Sequence, residues 1–553
     1  MVMVMLLGAE IVTRAFEENG VGHVFSLPGG PILPIYDSLR NSKTVRNVLV
    51  RHEGAGSFMA DAYSRISGKI GVCMSTMGPG AENMMIGVAT AHSDSIPLMA
   101  ITGQLNTTSL GRGYQQETDH VSLFRPITKW STLVLKTEAL SMTIRKAFRT
   151  SLEGRPGPVH LDIPKDVQLG SAEPELHGDL SAPLSTVSPT TVSVQKAVTM
   201  LTHSKRPVVL VGGGVVTANA NEQLTSFAKN LRIPVVTSYN GRGSVSEELE
   251  EALGRAGEYT LPVPKRILGE ADLLLVIGYR FTDVSTDGWR PSSEAKIVQV
   301  DIDPKEFGKN NRVDLAIHSD AKRFLERLLS LIDTQHVAGT LRRDEWLSYC
   351  ARALKQWKDA YQEKMLSNSK PIKPQRVIHE INKRLPDDAI VAAGAGRCKM
   401  WAATLIPIRR PRSWVHSGGY AVMGYALCGA IGAKIAEPKK VVLAVEGDAA
   451  FQMHCQEIAT ARENDAAPVI CVLNDMSLGS IRSSQIRSYG GRVFGTEFMI
   501  DTNTAAVAES FGGAGERVSE PNAIGPALDR AMSSRLPYVI DIVVDREEEP
   551  IFT

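Results

Sequence analysis

Residues 440–485 have the sequence KVVLAVEGDAAFQMHCQEIATARENDAAPVICVLNDMSLGSIRSSQ. A run of apolar and β-branched residues ends at Glu446-Gly447-Asp448, and a segment with helical spacing follows from about Gln452 to Asn464. A second apolar run, Pro468 to Leu473, ends at Asn474-Asp475. The pattern predicts a βαβ unit.

The two strands of a βαβ unit are parallel and usually adjacent, so we expect Asp448 and Asn474 at the same edge of one sheet. A carboxylate and an amide oxygen, helped by a backbone carbonyl just beyond, suit Mg²⁺ or Ca²⁺ better than zinc. Mg²⁺ held by few protein groups completes its shell with phosphate oxygens and water, and the helix N-terminus after Asp448 favours an anion. The stretch therefore predicts a metal-bridged diphosphate. The alternative is an ordinary βαβ unit with polar loops.

The overall composition is that of an ordinary globular protein. The 553 residues are enough for about three or four domains, with 43% hydrophobic residues, 22% charged residues and a formal net charge of +1. The sequence has no basic block, which argues against nucleic acid binding. The six cysteines lack CxxC or CxxH spacing, which favours reduced thiols over zinc sites or disulfides. We find neither a bilayer-spanning apolar run nor a signal peptide, and therefore expect a cytoplasmic enzyme.

Strand-like and helix-like segments alternate along the whole chain, which is typical of α/β domains with mainly parallel sheets. We predict three doubly wound α/β domains, at residues 1–170, 190–345 and 370–553. Residues 169–193 are rich in Ser, Thr, Pro and Gly and are expected to form a linker. The charged segment 342–364 is expected to be a bridging helix.

The motif Gly447-Asp448-Ala449 with Asn474-Asp475 resembles the thiamine diphosphate motif of the thiamine-dependent decarboxylases and carboligases. The resemblance implies that Asp448, Asn474 and the backbone carbonyl of Met476 bind Mg²⁺. It also implies that the first domain holds the pyrimidine of the cofactor and the last domain holds the diphosphate, with a nucleotide-binding-like domain between them.

Three runs of the first domain closely resemble acetolactate synthase catalytic subunits: VFSLPGGPILPIYDSL, RHEGAGSFMADAYSR and MGPGAENMMIGVATAHSDSIPLMAITG. On position alone, Glu53 would be a surface carboxylate or a helix-start charge. The resemblance instead implies that Glu53 contacts N1′ of the aminopyrimidine. A buried carboxyl with a raised pKa can share a proton with N1′ and so promote loss of the proton at C2 of the thiazolium.

Further residues match family positions around the substrate and the cofactor. Gln116 and Lys129, in GRGYQQETDHVSLFRPITKW, are implied to line the substrate pocket, with Gly30 as a backbone contact. Without the resemblance, this segment would be a solvated loop. Met423 matches the family methionine that bends the cofactor. The carbonyl of Ala421 would hold the 4′-amino group of the cofactor. The residues implied to bind thiamine diphosphate are Pro28, Gly29, Glu53, Thr76, Ala421, Met423, Gly447, Asp448, Ala449, Ala450, Asn474, Met476, Ser477 and Leu478.

Near the start of the central domain, a strand ends in three glycines, which could bring the backbone close to a phosphate or simply make a tight turn. The resemblance implies FAD in this domain, although the chain departs from the family at residues 253–257 and 282–284. An adenine nucleotide and an empty, purely structural fold are the alternatives. The implied FAD residues are Arg155, Gly212, Gly213, Gly214, Arg280, Asp301, Asp303 and Asp320.

Three positions near the substrate differ from the biosynthetic acetolactate synthases. Gln115 replaces the usual Phe, Ser480 the usual Met and Ser484 the usual Trp. Because that tryptophan shapes selection of the second 2-oxo acid in the family, the acceptor preference stays open. Residues 483–497, rich in Gly and Arg, are expected to form a lid over the site.

The resemblance as a whole implies a thiamine diphosphate- and Mg²⁺-dependent acetolactate synthase-like carboligase of branched-chain amino acid biosynthesis. Such an enzyme decarboxylates pyruvate and joins the two-carbon unit to a second 2-oxo acid. One alternative is a decarboxylase or lyase acting on another 2-oxo acid, on oxalyl-CoA or on a 2-hydroxyacyl-CoA; another is a catalytically silent regulatory relative. The resemblance implies active sites that lie between subunits. We therefore expect a homodimer as the smallest functional unit, and a homotetramer as the assembly. A small regulatory subunit is a further expected partner.

Overall fold

The computed structural model describes residues 5–174, 186–286, 291–292, 294–334 and 337–550. It contains three six-stranded sheets in which every neighbouring pair of strands is parallel. Sheets of this kind are covered by helices on both faces, which explains why their strands are nearly continuous apolar runs. The predicted α/β fold with mainly parallel sheets is confirmed.

The first domain contains one of these sheets and a short antiparallel ribbon. Its strands are β1 Leu6–Leu7, β2 His23–Ser26, β3 Arg46–Leu49, β4 Gly71–Ser75, β5 Leu98–Gln104, β6 Trp130–Leu133, β7 Val159–Pro164 and β8 Ser171–Ala172. Its helices are α1 Gly8–Glu18, α2 Leu33–Leu39, α3 Glu53–Ser67, α4 Pro79–Asp94, α5 His120–Phe124, α6 Leu140–Leu152 and α7 Lys165–Leu169. The sheet order is β3-β2-β4-β5-β7-β6, and β1 pairs with β8 in the ribbon.

The central domain carries the second sheet. Its strands are β9 Pro207–Val211, β10 Val235–Thr237, β11 Ala252–Arg255, β12 Leu273–Ile277, β13 Lys296–Asp301 and β14 Leu315–His318. Its helices are α8 Thr191–His203, α9 Gly213–Thr217, α10 Asn221–Leu231, α11 Pro262–Glu270, α12 Asp283–Thr286, α13 Ala321–Thr334 and α14 Ala338–Leu341. The sheet order is β11-β10-β9-β12-β13-β14.

A bridging helix, α15 Asp344–Met365, leads into the third domain. The strands of this domain are β15 Ile390–Ala393, β16 Trp414–His416, β17 Val442–Gly447, β18 Val469–Asn474, β19 Ala514–Val518 and β20 Tyr538–Val543. Its helices are α16 Pro374–Asn382, α17 Arg397–Leu405, α18 Tyr425–Ala436, α19 Asp448–His454, α20 Glu457–Glu463, α21 Gly479–Ser488, α22 Thr504–Ser510 and α23 Ile524–Ser533. The sheet order is β16-β15-β17-β18-β20-β19.

Each sheet has a switch point between two adjacent strands, where the connections that follow these strands lead to opposite sides of the sheet. The switch points lie between β2 and β4, between β9 and β12, and between β15 and β17. A crevice opens there at the carboxyl ends of the strands, where ligands of such sheets bind. The residues that directly follow these strand pairs are Leu27 and Thr76, Gly212 and Gly278, and Gly394 and Asp448.

The first and third domains share a core that is formed around α3 and α18. The rings of Phe58 and Tyr425 meet edge to face, with centroids 5.3 Å apart. A Cβ atom at Gly432 would overlap the backbone of Met59, so the glycine lets the two helices approach closely. The two domains are therefore packed backbone to backbone.

The buried guanidinium of Arg65, in α3, contacts the first and central domains directly and is linked to the third domain through its carboxylate partners. Its Nε donates to Asp61 Oδ2 at 2.7 Å, and its Nη2 donates to Asp94 Oδ2 at 2.8 Å. Its Nη1 donates to Asn240 Oδ1 of the central domain at 3.1 Å. The hydroxyl of Tyr425, in the third domain, donates to Asp61. Burial alone would raise the pKa of Asp94, but the charge of Arg65 holds it below its usual value.

The helix of the opening βαβ unit differs from the prediction. It begins at Asp448 rather than near Gln452, and it is split into α19 and α20 at Cys455-Gln456. The two halves are anchored to different partners: His454 packs against Gly424, whereas Glu457 Oε1 accepts a hydrogen bond from the Arg51 amide at 3.0 Å. These separate anchors account for the break.

The predicted linker also contains regular structure. Its residues Ser171–Ala172 form β8, which pairs with the amino-terminal strand, and α8 already begins at Thr191. Residues 175–185 of this stretch lie outside the described residues. The predicted bridging segment 342–364 coincides with α15.

Replacing Arg65 by Met should lower the free energy of unfolding by about 3–5 kcal/mol, because two buried carboxylates lose their counter-charge. Urea unfolding followed by circular dichroism measures the change. Arg40→Met is the matched control, since the Arg40–Asp37 pair is exposed and should contribute about 1 kcal/mol or less. An Arg65 variant as stable as this control would show that the network does not hold the domains together.

Candidate functional site

A cavity of about 320 Å³ opens at the switch point of the third sheet. It lies beyond the carboxyl ends of β15 and β17, and its wall includes Glu258 and Tyr259 of the central domain. Eight of the residues predicted to bind thiamine diphosphate line it: Ala421, Met423, Gly447, Asp448, Ala449, Ala450, Ser477 and Leu478. The structure therefore brings most of the predicted diphosphate-end residues together.

Asp448 is the first residue of α19 and is 4% exposed. Burial raises the pKa of its carboxyl to about 7; the nearby Asp475 carboxylate and, less strongly, Asp541 add to this rise, while backbone N–H donors oppose it. A bound cation would relieve both the desolvation and the repulsion. The electrostatics of the site thus fit a divalent metal beside Asp448.

Asn474 ends β18, which pairs with β17 so that Leu473 lies opposite Gly447. The structure accordingly places Asn474 and Asp448 at the same edge. Asn474 Nδ2 donates to Asp541 Oδ1 at 3.0 Å, which leaves the amide oxygen as the atom available to a cation. Met476, the third predicted ligand, has a φ of +52° and donates its backbone N–H to Asn474 Oδ1 at 3.3 Å.

The predicted metal site would use few protein ligands. Within the described ranges, no group of three or more His, Cys, Asp or Glu side chains is arranged to hold a metal ion. A site built from one carboxylate, one amide oxygen and one backbone carbonyl does not require such a group. It suits Mg²⁺, which keeps further positions for phosphate and water.

Sequence reasoning missed two basic residues of α17 that line the same cavity. Arg397 Nη1 is 3.6 Å from Asp475 Oδ2, and the Lys399 ammonium is 5.0 Å from the ring centroid of Tyr239. They are 6% and 3% exposed. The available signal was the pair of charges directly after the glycines of the loop 394–396, at the start of an otherwise mainly apolar helix.

A second group of predicted residues gathers at the switch point of the first sheet. A Cβ atom at Gly29 would lie 2.5 Å from Thr76 Cβ, and one at Gly80 would lie 2.9 Å from Thr76 Cγ2 and 3.1 Å from Glu53 Oε1. Glu53 begins α3, and its Oε2 accepts a hydrogen bond from Asn83 Nδ2 at 3.0 Å. The same loop carries Pro28 and Gly30 on either side of Gly29.

Gln116 joins this group through Gly78. A Cβ atom at Gly78, whose φ is +58°, would lie only 2.6 Å from the Gln116 carbonyl oxygen. The Gly78 amide donates to His120 Nε2 at 2.9 Å, and His120 Nδ1 is 3.0 Å from Asp162 Oδ1. His120 and Asp162 are fully or almost fully buried and hold this loop in place. Sequence reasoning missed both, because their spacing does not show that β7 reaches the loop.

Two of the implied groupings are not found within one chain. Lys129 Nζ donates to the Glu153 carbonyl at 2.5 Å and packs against Gly157 rather than against Gln116 or Glu53. Burial lowers the pKa of Lys129. The cavity of the third domain is lined by residues of the central and third domains, so Glu53 and Asp448 of one chain do not share it.

A larger cavity of about 760 Å³ lies at the switch point of the central sheet. Arg155 Nε donates to Ser95 Oγ at 2.7 Å, and Arg280 Nη2 donates to the Ser93 carbonyl at 2.7 Å. Burial raises the pKa of Asp301 to about 6. Asp303 lies just outside, 3.8 Å from Arg155. Seven predicted FAD residues line the cavity: Arg155, Gly212, Gly213, Gly214, Arg280, Asp301 and Asp320.

Two residues that differ from the family pattern, Ser480 and Ser484, make polar contacts in this structure. Ser480 hydrogen bonds with the Tyr259 side chain, and Ser484 Oγ donates to the Ser480 carbonyl at 3.2 Å. Ser480 thus links α21 to the wall contributed by the central domain, whereas the Ser484 bond lies within the helix. Gln115 is exposed, so within one chain it does not form a pocket wall.

The expected lid, residues 483–497, is partly helical. Its first residues belong to α21, which ends at Ser488, and the turn beyond carries Phe494 with 88% of its surface exposed. Ser483 Oγ donates to Glu549 Oε1 at 2.6 Å, and Arg482 Nη2 donates to Glu547 Oε1 at 2.6 Å. The carboxyl-terminal segment therefore holds the start of this stretch.

None of the helices in the described ranges is both long and apolar enough to cross a membrane.

Comparisons with known proteins cover all three domains. Residues 7–123 match the family model "Thiamine pyrophosphate enzyme, N-terminal TPP binding domain", residues 194–328 the central domain of the same enzymes, and residues 394–542 their C-terminal TPP binding domain. These matches support the predicted thiamine diphosphate cofactor.

Curated relatives match almost the whole chain. A probable acetolactate synthase large subunit of Methanocaldococcus jannaschii is 39% identical over 98% of this chain and 92% of the relative. The acetolactate synthase large subunit of Corynebacterium glutamicum is 37% identical over 98% and 88%, respectively. The acetolactate synthase isozyme 3 large subunit of Escherichia coli is 35% identical over 99% and 96%.

Glu446, next to this site in β17, should make the stability depend on pH. It is fully buried, and its Oε2 accepts a hydrogen bond from the Leu427 amide at 2.7 Å. Burial raises its pKa from 4.5 to about 7. Its protonated form therefore contributes stability that is present below about pH 4.5 and is lost as the pH rises through about 7. Glu446→Gln cannot ionise, so it does not lose this stability. Its free energy of unfolding, relative to that of the parent, should therefore rise by about 3 kcal/mol between about pH 4 and about pH 8.

Urea unfolding in metal-free buffer across this pH range measures the difference. Glu138→Gln, at an exposed position, is the matched control and should track the parent at every pH. Parallel curves for Glu446→Gln and the parent would contradict the assignment.

Proposed function

The chain belongs to the thiamine pyrophosphate enzymes and, within them, to the family of the acetolactate synthase large subunits, and from this premise we propose that it is an acetolactate synthase-like carboligase. It uses thiamine diphosphate and Mg²⁺ to decarboxylate pyruvate and to join the two-carbon unit to a second 2-oxo acid, in the cytoplasm. The observation that carries the proposal is the cavity between β15 and β17, where Asp448 and Met423 face one space. The relatives do not favour a decarboxylase or lyase acting on acyl-CoA.

At the third sheet, different groups would hold the metal ion and the diphosphate of the cofactor. Asp448, Asn474 and the carbonyl of Met476 would hold Mg²⁺, and the amide-rich N-terminus of α19 would face the diphosphate. Asp541 keeps the Asn474 amide in the orientation that offers its oxygen. When bound, thiamine diphosphate supplies the carbon nucleophile that attacks the keto group of pyruvate.

The glutamate of the first domain would move the proton. Glu53 lies at the start of α3 with its carboxylate near Thr76 and Asn83, at the crevice of the first sheet. Enclosed by the pyrimidine ring, it would exchange a proton with N1′ of that ring. Gln116, held over the same crevice by Gly78 and His120, would contact the substrate.

A second copy of the chain would complete the site. Within the part of one chain that the structure describes, the residues lining the cavity around Asp448 come from the central and third domains and not from the first, which supports a site shared between two subunits. A homodimer is then the smallest active unit, and we further propose a homotetramer. Because the relatives are named large subunits, a small regulatory subunit is a fitting partner.

The central cavity would hold an adenine dinucleotide of the FAD type. The predicted residues in its lining, namely the glycine turn 212–214, Arg155, Arg280, Asp301 and Asp320, suit phosphates and ribose hydroxyls. Nucleotide released from the purified protein, identified by mass spectrometry, tests this. Arg155→Met should retain at least about tenfold less nucleotide than the parent, because it removes a charge-assisted contact. Arg149→Met, at an exposed position, is the control, and a parent that carries no nucleotide would contradict the assignment.

Glu53→Gln should lower acetolactate formation from pyruvate by about 10²- to 10⁴-fold, because it removes the proton relay. Thiamine diphosphate binding, followed by fluorescence, should change little. Glu82→Gln, which alters an exposed glutamate of the neighbouring helix, should leave the rate unchanged. A parent that converts no pyruvate to acetolactate would sink the proposed function.

Mixing two inactive variants tests the shared site. Heterodimers of Glu53→Gln with Asp448→Asn contain one site with both changes and one site with neither, so activity should return on mixing. No recovery in demonstrably mixed dimers would place both residues in one subunit's site.

A further inference from the structure

Lys399 is a buried cation that forms no ion pair with a carboxylate of the described residues. Its side chain lines the cavity of the third domain and is 3% exposed as a residue. Among the described residues, it forms no ion pair within 4.0 Å, and its ammonium lies 5.0 Å from the centroid of the Tyr239 ring. An ammonium group taken out of water without a partner is costly, which points to an anion in the functional state.

A second buried cation shares the same aromatic ring. The Arg255 guanidinium carbon lies 3.9 Å from the centroid of Tyr239, and its Nη1 and Nη2 donate to the carbonyls of Glu258 and Tyr259 at 2.5 and 2.6 Å. Arg255 is 5% exposed and also lacks a carboxylate partner within 4.0 Å among the described residues. It therefore fixes the wall facing Lys399 and adds to the positive potential there.

The position of Lys399 separates it from the diphosphate end of the cavity. Arg397 reaches Asp475, beside the predicted metal ligands, whereas Lys399 reaches Tyr239 of the central domain. Residues two apart on a helix do not share a face, so these two charges serve different parts of the cavity. The wall around Lys399, with Tyr259 and Ser480, belongs to the substrate end.

The chemistry of the reaction decides which carboxylate suits this lysine. In the donor pyruvate, the bond between the keto carbon and the carboxylate breaks, and carbon dioxide leaves. A fixed cation beside that carboxylate would stabilise the ground state more than the transition state. In the acceptor, the keto carbon forms the new carbon–carbon bond, its oxygen takes up one proton to become a hydroxyl group, and the carboxylate is kept. Only the acceptor benefits from a permanent cation.

We propose that Lys399 binds the carboxylate of the acceptor 2-oxo acid and thereby selects an acid over an aldehyde as acceptor. The proposal deepens the function proposed above and rests on it. The hydrogen bond between Tyr259 and Ser480 joins α21 to the surrounding wall, and Arg255 anchors the backbone of that wall at Glu258 and Tyr259. Lys399 is then the residue that determines which product forms.

The first test lets pyruvate and acetaldehyde compete as acceptors, with pyruvate as the donor. Lys399→Met should lower the ratio of acetolactate to acetoin about 10- to 100-fold, the loss expected for one charge-assisted hydrogen bond. Lys399→Arg, which keeps the charge, should recover most of the ratio. Lys383→Met, at an exposed position in the same domain, is the matched control and should not change it.

The second test needs no turnover. Saturation-transfer difference NMR of the pyruvate methyl group, with the cofactor-free protein, reports binding directly. The signal should fall at least about fivefold in Lys399→Met and persist in Lys383→Met, because only the former removes the carboxylate contact. Thiamine diphosphate affinity, measured by fluorescence quenching, should stay within about threefold of the parent.

The outcomes separate the two proposals. An unchanged product ratio, an unchanged NMR signal, or loss of thiamine diphosphate binding in Lys399→Met would overturn the role of Lys399, while acetolactate formation by the parent would still support the function. If the parent forms no acetolactate but its pyruvate signal disappears in Lys399→Met, the function proposed above fails and the carboxylate-binding role of Lys399 stands.

Discussion

The neutralisation of Arg65 is the constraint on which the arrangement of the three domains depends. A buried guanidinium must find all its partners inside the protein. Here they come from the first and central domains, and two of them, Asp61 and Asp94, also accept hydrogen bonds from the third domain. Asp94, one of these partners, also accepts the backbone amide of Gly419. The loop that follows carries Ala421 and Met423 to the wall of the catalytic cavity. An ion cluster outside the site therefore sets the position of the loop expected to bend the cofactor.

Much of the fold could be predicted because parallel sheets leave simple local signals. Buried strands are short apolar runs, and the loops at their carboxyl ends carry glycines and acidic residues. This pattern alone predicts that Asp448 and Asn474 lie at one edge, without any family resemblance. It does not identify Glu53, because on position alone a surface role ranks first; the family motif is the signal that identifies this residue.

The remaining features depend on contacts that no local pattern records. His120 meets Asp162 across 42 positions, and Asn474 meets Asp541 across 67, so their pairing follows from the sheet order and not from spacing. Lys399 is charged within a segment that otherwise looks like core, which is a signal, but its partner ring, Tyr239, belongs to another domain. The break between α19 and α20 has the same origin, since tertiary anchors outweigh helical periodicity.

A ligand bound in the cavity of the central sheet would raise the stability of the whole chain. The lining of this cavity includes Arg65 and Arg155 of the first domain, Gly213 of the central domain and Arg412 of the third. A ligand that fills it binds the folded assembly and not the unfolded chain, and at a hundred times its dissociation constant it adds about 2.7 kcal/mol to the unfolding free energy. Differences in occupancy between preparations would therefore appear as differences in thermal stability, even where the catalytic cavity is identical.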